Sequence, residues 1–208
     1  MNIKNYYLFS KNYNRYIYYM FSGNYFADSA IMYALLDELE LITGNERSGS
    51  KFFGNKNIVK KPESSKVGYT WRKNMGTGIR EYCPIKKLYK TKLNSQYPQL
   101  LDIFGEYRDH HFPDFEFEQI TINRMERGSC IKEHLDKVNV GDSYLVAFGD
   151  YTGGKTLIEN KNDNNFIVVD ARDKPLCFNG SLLKHSVTTV TSGKRYSVVF
   201  YKNKQKKN

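Results

Sequence analysis

An α+β fold, helical and loop-rich in its first half and a β-sandwich or barrel in its second, is predicted by three observations. From residue 115 onward the runs FEFEQITINRM, SYLVAFG, KTLIE, NFIVVDA, PLCFNG, HSVTTV and RYSVVFY are short and β-rich. Gly, Asp and Asn turns part them at about the 8–12-residue spacing of such folds. Before them, apolar side chains recur at helical spacing in two segments. A chain of 208 residues has the length of one ordinary domain, so the two halves are expected to share one body.

The elements follow in order. Residues 1–25 are tyrosine-rich without a clean period and read as short strands or an irregular lead-in. A helix is expected from Asp28 to Ile42: Asp28 or Ser29 caps it, Ile31, Leu35, Leu36 and Leu39 form one stripe, and Gly44 ends it. Residues 45–68 are polar and glycine-rich and read as an exposed loop. Residues 68–82 read as a hairpin or strand–loop pair carrying Trp71, Arg72, Lys73 and Arg80, and a second helix is expected over Ser95–Tyr107. The division expected is a single domain over 1–203, with 1–114 its N-terminal part, 115–203 its β core, and 204–208 a frayed basic tail.

Composition narrows the function. Hydrophobic residues are 40% and aromatic residues 15% of the chain, enough for a real core. The formal net charge of +10 favours a polyanionic partner, chiefly nucleic acid. Cys83, Cys130 and Cys177 form no CxxC pair, which argues against a disulfide framework and a cysteine zinc site and suggests a reducing compartment. The first residues are too polar for a signal peptide, and no apolar run is long enough to span a bilayer. A soluble, intracellular monomer without a membrane contact is expected, not secreted, in the nucleus or wherever its nucleic acid lies.

The chemistry is carried by His134-Leu135-Asp136. On a strand, residues two apart point to one face, so both side chains can grip one ion. Of the other histidines, His110 and His111 fall in an expected polar loop, which leaves His185 as the third ligand. Two histidines and a carboxylate on one face of an octahedral ion are the donor set of non-haem Fe(II) oxygenases, with positions left for co-substrates. An H-x-D alone arises by chance; its company is what raises it. Arg195 follows His185 by ten residues on a returning strand and offers a fork for a carboxylate. Ser197 points the same way and can add a hydroxyl, while Arg172 and Lys194 are the reserve anchors.

These motifs resemble known families. The segment INRMERGSCIKEHLD is similar to the strand–turn–strand that enters the metal site of AlkB-type nucleic-acid dioxygenases, which implies that Asn123 touches the co-substrate. Met125 and Tyr201 stand where that family has a tyrosine and its second arginine. The closer resemblance is to the TET/JBP family, which oxidises the methyl group of 5-methylcytosine or thymine in DNA. HLDKVNVGDS, GDYTGG, HSVTTV and RYSVVFYKN carry it, over about residues 115–203. It implies a double-stranded β-helix (jelly-roll) core with supporting N-terminal helices, and Fe(II), 2-oxoglutarate and O2 as cofactor and co-substrates. It further implies that Arg195 and Ser197 hold 2-oxoglutarate, Asn139 hydrogen-bonds a flipped base, Tyr201 stacks on it and Asn203 contacts it.

The expectation is therefore a dioxygenase that converts a methylated base in double-stranded DNA to its hydroxymethyl form, with His134, Asp136 and His185 catalytic. A prolyl or lysyl hydroxylase with the same iron site and an AlkB-like N-demethylase are the alternatives. A base in a duplex must be flipped out and stacked before it is reached. Lys60, Lys61, Arg72, Lys73 and Arg80 are the candidate phosphate contacts.

Overall fold

The computed structural model describes residues 4–9, 16–21, 29–39, 62–73, 86–163 and 165–203. The expectations placed on Asp28, Gly44, Lys60, Lys61, Arg80 and the 204–208 tail lie outside them. Strands β1 (Lys4–Phe9) and β2 (Tyr16–Phe21) form an antiparallel pair. Helix α1 (Ser29–Asp37) buries Met32, Leu35 and Leu36. It stops short of the expected Ile42: Leu39 completes the apolar stripe from a tightened turn, its N–H 3.4 Å from the Leu36 carbonyl.

Strand β3 (Glu63–Lys73) begins inside the segment expected to be a loop, because it pairs with a central strand from Glu63 onward and buries Ser65 and Val67. It returns through β4 (Lys86–Lys90), so the expected hairpin is longer than its sequence suggests. The second expected helix is two helices. Thr91 caps α2 (Lys92–Gln96) by accepting the Asn94 N–H at 3.2 Å. Pro98 then forces Tyr97 out of the helical region, to φ −129 and ψ 76. Helix α3 (Leu100–His111) follows and carries His110 and His111, which therefore close a helix rather than lie in a loop.

The rest is β-structure: β5 (Gln119–Glu126), β6 (Ile131–His134), β7 (Asn139–Phe148), β8 (Tyr151–Gly153), β9 (Thr156–Asn160), β10 (Asn165–Val169), β11 (Leu176–Phe178), β12 (His185–Val187) and β13 (Val190–Asn203). The protein is mostly β-sheet with few helices. The large sheet runs β11-β7-β13-β5-β3-β4, with β8 also on β13, and the small sheet runs β10-β9-β12-β6. Every named strand pair is antiparallel.

Two apolar clusters share the large sheet. One joins its outer face (Val67, Ile120, Ile122, Val146, Phe148, Tyr196, Val198, Phe200) to the helices through Leu36, Ile103, Phe104 and Tyr107. The other lies between the sheets, where Met125, Leu145 and Ala147 meet Ile158 and Val187. Alternation along β13 assigns Arg195, Ser197, Val199 and Tyr201 to that inner side. Among the described residues, no helix is long and apolar enough to cross a membrane.

Candidate metal centre

Strand pairing brings the histidines together. His185 on β12 lies directly opposite His134 on β6, and their ring centroids are 4.2 Å apart. Asp136 does not continue the strand as expected, since β6 ends at His134. It is held instead by backbone and amide: its N–H donates to the Gly180 carbonyl at 2.8 Å, and Asn139 Nδ2 donates to its Oδ2 at 3.3 Å. The three side chains then converge. Asp136 Oδ1 is 3.8 Å from His134 Nε2 and Oδ2 is 3.6 Å from His185 Nε2, and one ligand atom from each residue lies within 4.8 Å of the others.

The donor chemistry is set by what the second ring nitrogens do. His134 Nδ1 is 2.8 Å from the Lys132 carbonyl and His185 Nδ1 is 3.0 Å from the Leu183 carbonyl. A carbonyl only accepts, so each Nδ1 carries the hydrogen and each Nε2 offers a lone pair to the centre. Burial, reinforced by the nearby His185, holds the His134 imidazole below its ordinary value, which keeps it neutral. Burial alone would raise the Asp136 carboxyl, but His185, His134 and Lys66 outweigh it and hold the group below the usual carboxylate range. The set is two imidazole nitrogens and one carboxylate, donor types suited to a divalent ion. Gly180 leaves the room: a Cβ there would stand 3.2 Å from both Asp136 Oδ2 and His185 Cε1.

On the inner face of the large sheet, which looks toward the small sheet, Arg195 is fully buried. Its contacts are weak, Met125 Sδ at 3.6 Å and Thr156 Oγ1 at 3.4 Å, and its Nε has no partner among the described residues. Burial pushes the guanidinium below its ordinary value. Among the described residues no carboxylate forms an ion pair with it; Asp170 acts on it only from a distance and pairs with Lys155. Gly154 keeps the approach open; at φ +60 it has no side chain, and a Cβ would meet Arg195 Cδ at 2.8 Å. Tyr151 lies beside it, ring centroid 5.8 Å from the guanidinium carbon, with a buried hydroxyl that is also unpartnered among the described residues.

The remaining candidates fall around this line. Ser197 is buried beside Asn123, whose Nδ2 donates to its Oγ at 3.3 Å. Asn139 is buried with its amide on Asp136, so it positions a metal ligand. Tyr201 is 5% exposed, and its hydroxyl is bound to Gln119 at 2.9 Å and Thr121 at 3.0 Å. Asn203 Nδ2 donates to the same Gln119 oxygen at 3.1 Å. Lys194 turns away and pairs with Asp37 at 2.7 Å, while Arg172 stacks on Tyr151 with its guanidinium carbon 4.2 Å from the ring centroid. Of Trp71, Arg72 and Lys73 the backbone is described, in β3. Sequence reasoning missed Tyr151, Thr156, Lys66, Gln119 and Gly180; Gln119 and Lys66 had a faint signal, since both are polar at positions whose strand neighbours alternate inward.

No protein-family model matches the sequence, and no curated protein does. Among solved structures, a Pseudomonas putida prolyl-4-hydroxylase is similar over 86% of this chain and 88% of its own, with a TM-score of 0.50 and 14% identity. A structure of NgTET1 in complex with 5mC DNA matches over 68% of this chain and 61% of its own, at TM-score 0.46 and 18% identity. A 2OG-Fe(II) oxygenase family oxidoreductase from Burkholderia pseudomallei matches over 67% and 64%, at TM-score 0.41 and 18% identity. The chain thus spans 61% and 64% of the last two, under two thirds of each. The likeness is one of fold.

Proposed function

We propose that the chain is an Fe(II)- and 2-oxoglutarate-dependent dioxygenase that oxidises the methyl group of a modified base in DNA. One observation carries the reading: the small sheet gathers a His-His-carboxylate set, and the facing side of the large sheet carries a fully buried guanidinium with no ion pair among the described residues. The strand orders β11-β7-β13-β5 and β10-β9-β12-β6 support a double-stranded β-helix core within one domain over 1–203.

The residues present fit the groups. His134 and His185 offer Nε2 and Asp136 offers a carboxylate oxygen, the donor types that hold non-haem iron. Arg195 has an orphaned Nε and weakly held terminal nitrogens that a distal carboxylate of 2-oxoglutarate would satisfy, with the Tyr151 hydroxyl and Thr156 beside it. When bound, iron, 2-oxoglutarate and dioxygen supply an oxidant that hydroxylates a C–H bond, releasing succinate and carbon dioxide. The chain's own residues do the rest. Asn139 fixes the Asp136 carboxylate, the Lys132 and Leu183 carbonyls fix the ring tautomers, and Ser197 and Asn123 present hydroxyl and amide along the co-substrate.

A base substrate is supported by the +10 charge and by the polar inner row that ends in Tyr201 and Asn203. Tyr201 serves as the aromatic wall, and Asn203 as an edge reader. A prolyl or lysyl hydroxylase is the second reading, favoured by the fold shared with the prolyl-4-hydroxylase. Mass spectrometry of nucleosides decides, after incubation with iron, 2-oxoglutarate and duplexes carrying different methylated bases. A hydroxymethyl product supports the base reading. Hydroxylation of a proline- or lysine-containing peptide, with no change in any nucleoside, replaces it.

A further inference from the structure

Several cations of the described residues form ion pairs. Lys184, Lys194 and Lys202 pair with Glu133 at 3.2 Å, Asp37 at 2.7 Å and Glu116 at 3.0 Å, and Lys155 and Arg124 pair with Asp170 and Glu63. Two cations on the inner face of the large sheet have no carboxylate partner among the described residues: Arg195 and the half-buried Lys66. Arg195 is answered by the co-substrate. Lys66 is not.

Lys66 stands opposite Thr121 in the β3–β5 register, which places it on the side of Gln119, Thr121 and Tyr201. Its Nζ donates to Gln119 Oε1 at 3.0 Å and lies 5.7 Å from the Tyr201 ring centroid. The same Oε1 accepts from the Tyr201 hydroxyl at 2.9 Å and from Asn203 Nδ2 at 3.1 Å. An amide oxygen has two lone pairs, so three donors oversubscribe it and one is available to a ligand. Lys66 is the donor best able to leave, with three N–H groups on a flexible stem. The cluster continues to the metal site: Asn203 pairs in register with Asn139, whose amide rests on Asp136. Lys66 also acts electrostatically on that carboxylate.

We propose that Lys66 is a substrate-binding residue: its ammonium rests on Gln119 in the protein alone and passes to an oxygen of the entering nucleotide strand. The oxygen belongs to a phosphate or to a ring carbonyl of the target base. This rests on the nucleic-acid reading above.

The test is fluorescence anisotropy with a labelled methylcytosine-containing duplex and its abasic counterpart, across a salt series. Wild type is compared with Lys66→Met, Lys66→Arg and Lys161→Met, the last an exposed turn lysine outside the cluster. Lys66→Met should weaken binding about tenfold, as loss of a hydrogen bond to a charged group does, with Lys66→Arg recovering most of it and Lys161→Met unchanged. A fall of about one in the log–log salt slope assigns the oxygen to a phosphate. An unchanged slope, with the defect absent on the abasic duplex, assigns it to the base. Wild-type affinity in Lys66→Met overturns the proposal. If binding depends on Lys66 while wild type oxidises no base, the site assignment stands and the dioxygenase substrate is wrong; if wild type binds no nucleic acid, both fall.

Discussion

The two faces of the large sheet are made from alternate residues of the same strands, and they differ in kind. Toward the helices β13 turns Tyr196, Val198 and Phe200, all fully buried. Phe200 packs edge-on against Phe104 and Phe112 and stacks on Tyr107 at 6.2 Å. Toward the small sheet the same strand turns Arg195, Ser197 and Tyr201, opposite Asn123 and Gln119 of β5. The outer face stabilises by burying apolar area. The inner face carries a buried guanidinium with no ion pair among the described residues, which costs several kcal/mol unless a ligand completes it. The outer face is apolar, whereas the inner face adds polar and charged side chains to its own apolar cluster, so substitutions at Phe200 and Arg195 should behave oppositely.

The largest effect is expected outside. Phe200→Ala should lower stability by about 3–5 kcal/mol in denaturant titrations, since its cavity is lined by rings that cannot collapse into it. Arg195→Met should do the reverse to the metal-free protein, stabilising it by roughly 1–4 kcal/mol as an apolar side chain replaces an unpaired buried charge. In the same variant 2-oxoglutarate should no longer raise the melting temperature. If Arg195→Met destabilises the protein as Phe200→Ala does, the two faces are not functionally distinct.

Asn139→Ala sharpens the comparison at the metal edge. With the amide gone from Asp136, metal affinity should fall about 10- to 100-fold in a Mn(II) or Fe(II) titration, while the melting curve moves little. The smallest effect belongs to the outer rim, where Asp37 ties α1 to β13 through Lys194 at 2.7 Å and the Tyr196 hydroxyl at 2.6 Å. Burial would raise that carboxyl, but the two donors outweigh it and hold it below its ordinary value. A carboxyl depressed by folding adds stability above its unfolded value, near 3.9, and loses it as pH falls through the folded one. Melting temperatures from pH 7 down to 3 should therefore drop more for wild type than for Asp37→Asn. The difference should stay within about 1 kcal/mol, because the pair is partly solvated.

How much of this was legible follows from the length scale of each signal. The strands after residue 119 and their inward–outward alternation were visible because period two repeats within a few residues, as in RYSVVFY. The break between α2 and α3 was encoded too, at Pro98, yet the apolar stripe ran across it and hid it. Strand β3 starts within a polar stretch, and only its pairing with β5 makes it a strand. The convergence of His134, Asp136 and His185 was foreseen, whereas the loop geometry of Asp136 was not, since the Gly180 carbonyl that holds its N–H comes from distant sequence. Tyr151 lay within GDYTGG without a role of its own, and Lys66 had no motif: each matters through what the fold sets beside it.

The most direct test is isothermal titration of 2-oxoglutarate under anaerobic conditions. One site should form with Fe(II) present, be lost in His134→Ala along with the metal, and be lost in Arg195→Met while the metal still binds. Equal binding of 2-oxoglutarate without metal, or undiminished Fe(II) binding by His134→Ala, would contradict the site assignment.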